Sequence, residues 1–270
     1  MSRNILRNFI ISVELDGSFN ILKTKNNGNW NWTSREKLLN NVNGCSKVLK
    51  DLNIKKGDRV AFKGKNSIEW LSWNLATYSV GGIWVPMYDQ QEPNQIKYIL
   101  EDSASKILIT DQNFDDLKVD IIKTSDFEPN NNVIDIKQNE LSNLIYTSGT
   151  TGDPKGVKLS HENILSNIDS IKKRFHDLPD NQVSLNILPW AHIYGLTCEL
   201  YYNLLNDNKV AICSDKTKLV NELKEVKPDV LYAVPKVLEV IKQKVSFLDK
   251  PIINNLFPFV LNRVFGGNLK

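Results

Sequence analysis

The sequence predicts an α/β fold built from mostly parallel sheets covered by helices, and three observations carry that expectation. Short apolar runs alternate with helical stripes from about residue 57 onward, the pattern of βα repeats. The runs are bounded by turn residues such as Gly57-Asp58 and Gly81-Gly82. A loop rich in glycine and hydroxyl side chains follows one run directly, at Thr147 to Gly152.

Taken in order, residues Met1 to Trp32 are weakly patterned, with a turn at Asn26-Asn27-Gly28. Thr33-Ser34-Arg35-Glu36 resembles a capping box with Thr33 at the cap, and Leu38, Leu39, Val42, Val48 and Leu49 stripe the helix behind it. Arg59 to Phe62 reads as a short buried strand. Asn66 or Ser67 caps a helix carrying Ile68, Leu71, Leu75 and Tyr78, and Ile83 to Met87 is the next strand. Gln95 to Ser103 reads as helix and Lys106 to Thr110 as strand. The pattern thins over Asp111 to Asn132, which places an internal boundary near residue 125 and divides the chain into parts 1–125 and 126–270. The second part predicts a strand at Leu144 to Tyr146 and a helix from His161 or Glu162. Strands follow at Val183 to Leu188, Lys209 to Cys213 and Val230 to Val234, with helices at Gly195 to Leu205, Thr217 to Val226 and from Pro235.

Bulk properties narrow the function classes. The 270 residues can bury a sizeable core, and the formal charge of +3 is nearly balanced. Lys172-Lys173-Arg174, the longest basic run, reads as a solvated helix face and argues against nucleic acid as a partner. Cys45, Cys198 and Cys213 form no Cys-x-x-Cys pair, and His161, His176 and His192 form no ligand cluster. These features speak for a reducing, cytoplasmic setting and against structural zinc. The uncharged run Trp70 to Tyr88 is broken by Asn74, Gly81, Gly82 and Pro86 and is no membrane span, which leaves peripheral membrane contact open.

The richest stretch is Leu144 to His161. Its glycines let a backbone approach phosphate closely, its hydroxyls and N–H groups can donate to oxyanions, and Lys155 adds a mobile positive charge. The spacing of Gly149, Gly152, Lys155 and Gly156 fits neither the P-loop nor the dinucleotide fingerprint. An amphipathic helix is expected after the loop, and a Ser/Thr/Gly surface linker would need neither a strand before it, nor a helix after it, nor a Pro-Lys-Gly ending. Ser148 to Gly152 with Pro154, Lys155 and Gly156 instead resembles the signature of the adenylate-forming acid ligases. That family includes acyl-CoA synthetases, luciferases and peptide-synthetase adenylation domains.

Further stretches resemble the same family in order and spacing. Leu188-Pro189-Trp190-Ala191-His192-Ile193-Tyr194-Gly195 is similar to its second signature, in which a His and an aromatic line the acyl pocket. Read alone, a His among Trp, Ile and Tyr is an ordinary core histidine. Lys227-Pro228-Asp229 through Pro235-Lys236 resembles a third element, with Asp229 where the family usually has Thr and Lys236 where it often has Arg. Lys56 to Val60, Asn66 to Trp70 and Gly82 to Tyr88 are similar to the long-chain acyl-CoA synthetase branch, and Trp190 and Tyr88 lean to a fatty acid.

The resemblance implies stacked sheets and a two-step reaction: a carboxylate attacks the α-phosphate of ATP, and coenzyme A then displaces AMP. It implies ATP, Mg²⁺ and coenzyme A as the reaction's small molecules. Thr147, Ser148, Gly149, Thr150, Thr151, Gly152 and Lys155 would hold the phosphates, and His192 and Tyr194 would line the acid pocket. The family's adenine segment (Tyr-Gly-x-Thr-Glu), its ribose segment (Thr-Gly-Asp) and its mobile domain with a catalytic Lys do not occur in these residues. The expectation is therefore an incomplete C-terminal edge, an apolar tail from Pro251 to Phe265 that a complementing half or another protein covers, and an isolated chain that is inactive. Two alternatives stand beside fatty-acid activation: a non-catalytic remnant acting as a nucleotide-binding or interaction protein, and a ligase for another carboxylic acid.

Overall fold

A computed structural model describes residues 3–114, 116–132, 135–137, 139–147, 153–176 and 180–235. Within them two sheets enclose a helical layer. The six-stranded sheet has the order β6-β5-β3-β4-β7-β8, from β3 (Arg59–Lys63), β4 (Ile83–Met87), β5 (Ser105–Ile109), β6 (Asp120–Ile122), β7 (Leu141–Thr147) and β8 (Lys155–Ser160). All its neighbours pair in parallel except β7 with β8. The four-stranded sheet has the order β2-β1-β10-β9, from β1 (Asn20–Asn26), β2 (Asn29–Ser34), β9 (Val183–Asn186) and β10 (Lys209–Ile212). Only β1 and β2 are antiparallel there. The mixed, mostly parallel α/β architecture is the one expected. Both sheets draw strands from either side of residue 125.

Side-chain alternation on the parallel strands sorts the layers. In the six-stranded sheet Val60, Phe62, Trp84, Ile107, Ile109 and Ile145 face the central helices. The opposite face, with Ala61, Val85, Met87 and Leu108, packs on Ile96, Ile99 and Leu100 of α4 (Pro93–Ser103). In the four-stranded sheet Leu22, Val210 and Ile212 face the same central core, while Leu185 and Ala211 pack on Leu219 and Leu223 of α7 (Leu219–Val226). The layer between the sheets holds α1 (Ile5–Leu15), α2 (Arg35–Asp51), α3 (Ile68–Ser79) and α5 (His161–Arg174). α3 is buried from Trp70 through Ser79, as a helix sandwiched between two sheets must be.

The central layer is sealed by aromatic rings. Trp70 meets Trp84 edge-on at 5.2 Å and Trp190 at 5.5 Å, with Phe62 5.4 Å from Trp84. Such offset pairs contribute about 0.5–1.5 kcal/mol each beyond their area. A buried polar network crosses the same layer: the Tyr201 and Tyr78 hydroxyls lie 2.6 Å apart, Tyr201 donates to Asn74 at 2.8 Å and Tyr78 to Asn143 at 2.9 Å.

Several elements depart from the expectations. α1 forms in the weakly patterned N-terminus, where the Asn4 side chain accepts from Arg7 N–H and Ile5, Leu6 and Phe9 are buried. The Asn27-Gly28 turn closes a true hairpin: both residues have positive φ, 49° and 83°, and Asn26 pairs with Asn29. α2 is capped by Ser34 rather than Thr33: the helix begins at Arg35, and the Ser34 side chain accepts from Lys37 N–H. Ser67, not Asn66, caps α3 and accepts from Trp70 N–H. The expected helix Gly195 to Leu205 begins as a π-helix, Gly195–Tyr201, before α6 (Tyr202–Leu205). Val230 to Val234 makes only an isolated bridge, Val230 with Ser184, instead of a strand. The apolar tail Pro251 to Phe265 and Lys236 lie outside the described residues.

Candidate nucleotide and acid site

The glycine- and hydroxyl-rich loop connects two strands, not a strand and a helix. Thr147 ends β7 and pairs with Lys155, the first residue of β8. The helix starts at His161, as expected, behind a Ser160 cap that forms a capping box with Asn163, but β8 stands between it and the loop. No helix N-terminus therefore directly follows the loop. Thr147 and Lys155 are both exposed at the loop's two stems. Ser148, Gly149, Thr150, Thr151 and Gly152 lie outside the described residues.

Gly156 explains the Pro-Lys-Gly ending. It pairs across the ladder with Tyr146, and a Cβ there would stand 3.0 Å from Leu144 Cδ1 and 3.1 Å from Tyr146 Cζ. The Tyr146 hydroxyl donates to Asp102 of α4 at 2.5 Å, which pins the loop's base to the helix on the outer face of the six-stranded sheet. Burial and the Asp102 carboxylate push its phenol well above the ordinary range.

Because β3, β4 and β7 run in parallel, their carboxyl ends share one edge of the sheet. The chain leaves β3 toward α3 and β4 toward α4, helices on opposite faces, so a crevice opens between these strands. A cavity of about 800 Å³ lies there, between Lys65, Asn66 and Tyr88 on one side and Ile187, Pro189 and Ile212 past β9 and β10 on the other. Lys63, at the end of β3, is buried and donates to the Asp89 carbonyl at 2.5 Å and Gln112 Oε1 at 2.8 Å. Its desolvation lowers the ammonium pKa.

The turn after β9 holds the expected acid-pocket residues. His192 N–H donates to the Pro189 carbonyl at 3.1 Å, and Tyr194 N–H donates to His192 Nδ1 at 3.1 Å. Nδ1 is thereby an acceptor, so a neutral imidazole carries its proton on Nε2. His192 is exposed, and burial with Cys198 and Glu199 nearby raises the Tyr194 phenol. The structure brings His192 and Tyr194 together. Trp190 is corrected: it is fully buried against Trp70 and belongs to the core, so it argues nothing about an acyl chain.

Three side chains meet at this turn in a way that the sequence reading, which named Asn66 only as a candidate helix cap and as part of the family resemblance, did not show. Asn66 reaches across from the β3–α3 connection and donates to Asn186 Oδ1 and the Leu188 carbonyl, while Trp190 N–H donates to its Oδ1. Asn186 donates to Glu199 Oε2 at 2.6 Å. Glu199 sits fully buried in the π-helix, and burial raises its carboxyl pKa well above the usual range. Only a buried Asn-x-x-x-Trp and Glu spacing signalled them, and that is too common to be read. Asp229 has a structural role: its Oδ2 accepts from Val183 N–H at 2.9 Å and ties the start of β9.

Among the described residues no group of three or more His, Cys, Asp or Glu side chains converges as a metal site. Among the same residues no helix is long and apolar enough to cross a membrane.

Comparison with known proteins agrees with this fold. Residues 19–256 match the family described as AMP-binding enzyme. The human "Long-chain-fatty-acid--CoA ligase ACSBG2" is 28% identical over 87% of this chain and 41% of its own length. "Long chain acyl-CoA synthetase 3" of Arabidopsis thaliana is 26% identical over 86% of this chain and 42% of its own length. The chain thus spans about two-fifths of the length of these relatives. The N-terminal domain of FACL13 from Mycobacterium tuberculosis, in an inhibitor-bound crystal structure, shares the fold with a TM-score of 0.76 at 22% identity, covering 94% of this chain and 67% of that domain. The fatty acyl-adenylate ligase of L. pneumophila shares it at 0.72 and 20%, covering 86% and 44%. Matched over most of its length and folded as these proteins fold, the chain belongs to the AMP-binding enzyme family.

Proposed function

We propose that this chain supplies the phosphate loop and acid pocket of an ATP-dependent ligase that activates a fatty acid and transfers it to coenzyme A. The observation that carries the reading is the β7–β8 hairpin, which holds Thr147 and Lys155 opposite each other at the carboxyl edge of the parallel strands. Support for the acid comes from relatives that are named long-chain fatty acyl-CoA ligases.

In this reading a carboxylate oxygen of the acid attacks the α-phosphorus of ATP, and the bond to the leaving pyrophosphate breaks. The thiolate of coenzyme A then attacks the acyl carbon and releases AMP. The hydroxyls of Thr147, Ser148, Thr150 and Thr151 and the N–H groups of Gly149 and Gly152 hold the β- and γ-phosphates. Lys155 offsets the charge that builds on the departing pyrophosphate. His192, with its Nε2 proton directed away from the Tyr194 amide, and Tyr194 orient the acid. Adenine and ribose contacts come from a complementing segment or second polypeptide.

The test is Mg·ATP binding by titration calorimetry, followed by acyl-adenylate formation with palmitate, acetate and benzoate. Mg·ATP binding that weakens about tenfold in Lys155→Met, the loss of one charge-assisted contact, is expected. Because Lys155 is exposed, the variant's stability stays unchanged. Absence of Mg·ATP binding, even with the complementing segment present, overturns the reading. Binding without adenylate from any acid, even with the complementing segment present, favours a nucleotide-binding protein, and adenylate from acetate or benzoate alone names another acid.

A further inference from the structure

We propose that Asn66 is a positioning residue. From the edge of the six-stranded sheet it sets the backbone of the turn carrying His192 and Tyr194, and with it the fit of the acid substrate. The inference deepens the proposed function and rests on that turn being where the acid binds.

The turn from Ile187 to Tyr194 follows β9 and precedes the π-helix, with no strand ladder of its own. Its backbone groups need partners elsewhere. Asn66 provides them. Its Nδ2 donates to the Leu188 carbonyl at 2.7 Å and to Asn186 Oδ1 at 2.6 Å, and its Oδ1 accepts from Trp190 N–H at 2.9 Å. An amide is the one side-chain group that donates twice and accepts from the same planar end. The Leu188 carbonyl and the Trp190 N–H leave only one orientation of that amide. Asp at this position would keep the acceptor and lose both donors, facing its charge onto a carbonyl.

Asn66 itself is held from behind. It precedes Ser67, which caps α3, and α3 is locked in the aromatic core through Trp70. From the other side Asn186 donates to the same Leu188 carbonyl at 2.9 Å and to Glu199 at 2.6 Å. The turn is therefore fastened to both sheets within three residues, directly before His192. Asn66 is also half-buried and lines the cavity together with Asn186, Pro189 and Ala191. Whatever enters the cavity meets the same amide that holds the turn.

The test compares Asn66→Ala and Asn66→Asp with Ser67→Ala, which loosens α3 without touching the turn. Amide hydrogen exchange is read at Trp190 through Tyr194, and palmitate and Mg·ATP binding are measured on the same proteins. Both Asn66 variants should speed exchange at Trp190 by about tenfold or more and weaken palmitate by about tenfold, with Mg·ATP affinity unchanged. Ser67→Ala should lower the melting temperature and leave the turn's exchange relative to the core as it was. Unchanged protection at Trp190 in both Asn66 variants, or the same local opening in Ser67→Ala, overturns the proposal. If the unaltered protein binds no palmitate or other acid, the proposed function falls, while exchange still decides whether Asn66 holds the turn.

Discussion

Gly195→Ala sets two effects of opposite sign against each other at the entrance to the π-helix. Helix propensity favours Ala over Gly by about 1 kcal/mol in an open helical position. Here a Cβ would stand 2.6 Å from the Pro189 carbonyl oxygen and 3.2 Å from Leu188 Cβ and the Pro189 carbonyl carbon. Ordinary contact begins near 3.4 Å, so the backbone must give by 3.4 − 2.6 = 0.8 Å. That carbonyl is not free to move. It accepts His192 N–H at 3.1 Å, and the next residue, Trp190, is held by Asn66. Overpacking costs about 1–3 kcal/mol, and weakening the His192 bond about 0.5–1.5 kcal/mol more. The clash wins, and the net loss is about 1–3 kcal/mol, or a melting temperature lower by roughly 3–10 °C in a domain of this size. Thermal and urea unfolding measure the loss, and exchange at the His192 amide should rise with it. A variant as stable as the parent, or more so, would refute the close approach and leave propensity as the whole effect.

Other perturbations test the buried groups. Because burial raises the Glu199 carboxyl pKa, the folded protein keeps a proton that the unfolded chain loses above 4.5. Stability should therefore fall as pH rises past that value, by up to about 1.4 kcal/mol per unit. Glu199→Gln should flatten this slope, and identical urea titrations across pH for both proteins would count against a buried neutral acid. His161 behaves in the opposite sense. Burial lowers its pKa to about 4 from 6.5, so the unfolded chain binds the extra proton and stability should drop as pH falls through that window. His161→Gln should remove the acid-side loss, and persistence of the loss would place its origin elsewhere. Tyr201→Phe strips the donor from Asn74 Oδ1 and removes one of the partners of the Tyr78 hydroxyl, which keeps Asn143 and Asn74 Nδ2. It should cost about 1–3 kcal/mol in chemical denaturation, and a neutral result would mean that the two polar groups find water.

Legibility in the sequence followed the range of the interactions. Ile83 to Met87 and the stripe over Leu38 to Leu49 were readable because strand alternation and helical spacing are local patterns. The N-terminal hairpin carried its signals too, Asn27-Gly28 and Trp30 and Trp32 two apart, yet β1 becomes a sheet strand only by pairing with the distant β10. Lys155 to Ser160 looked like the approach to a helix, because Lys-Gly-Val-Lys is weakly apolar and gains strand structure only from β7. Trp190 misled for a related reason. An aromatic beside a His looks like a pocket wall until Trp70 packs edge-on against it in the buried core.

The sequence by itself determined the α/β class, most of the strands and helices from residue 57 onward, and the glycine- and hydroxyl-rich loop as the candidate phosphate site, because each is written in contiguous spacing and chemistry. Tertiary structure alone decided that the loop joins two strands and that Trp190 is core. It alone decided that Asn66, Asn186 and Glu199 meet at the His192 turn. Those three side chains come from separate segments, and hydrogen bonds between them exist only once both sheets have closed on the central helices.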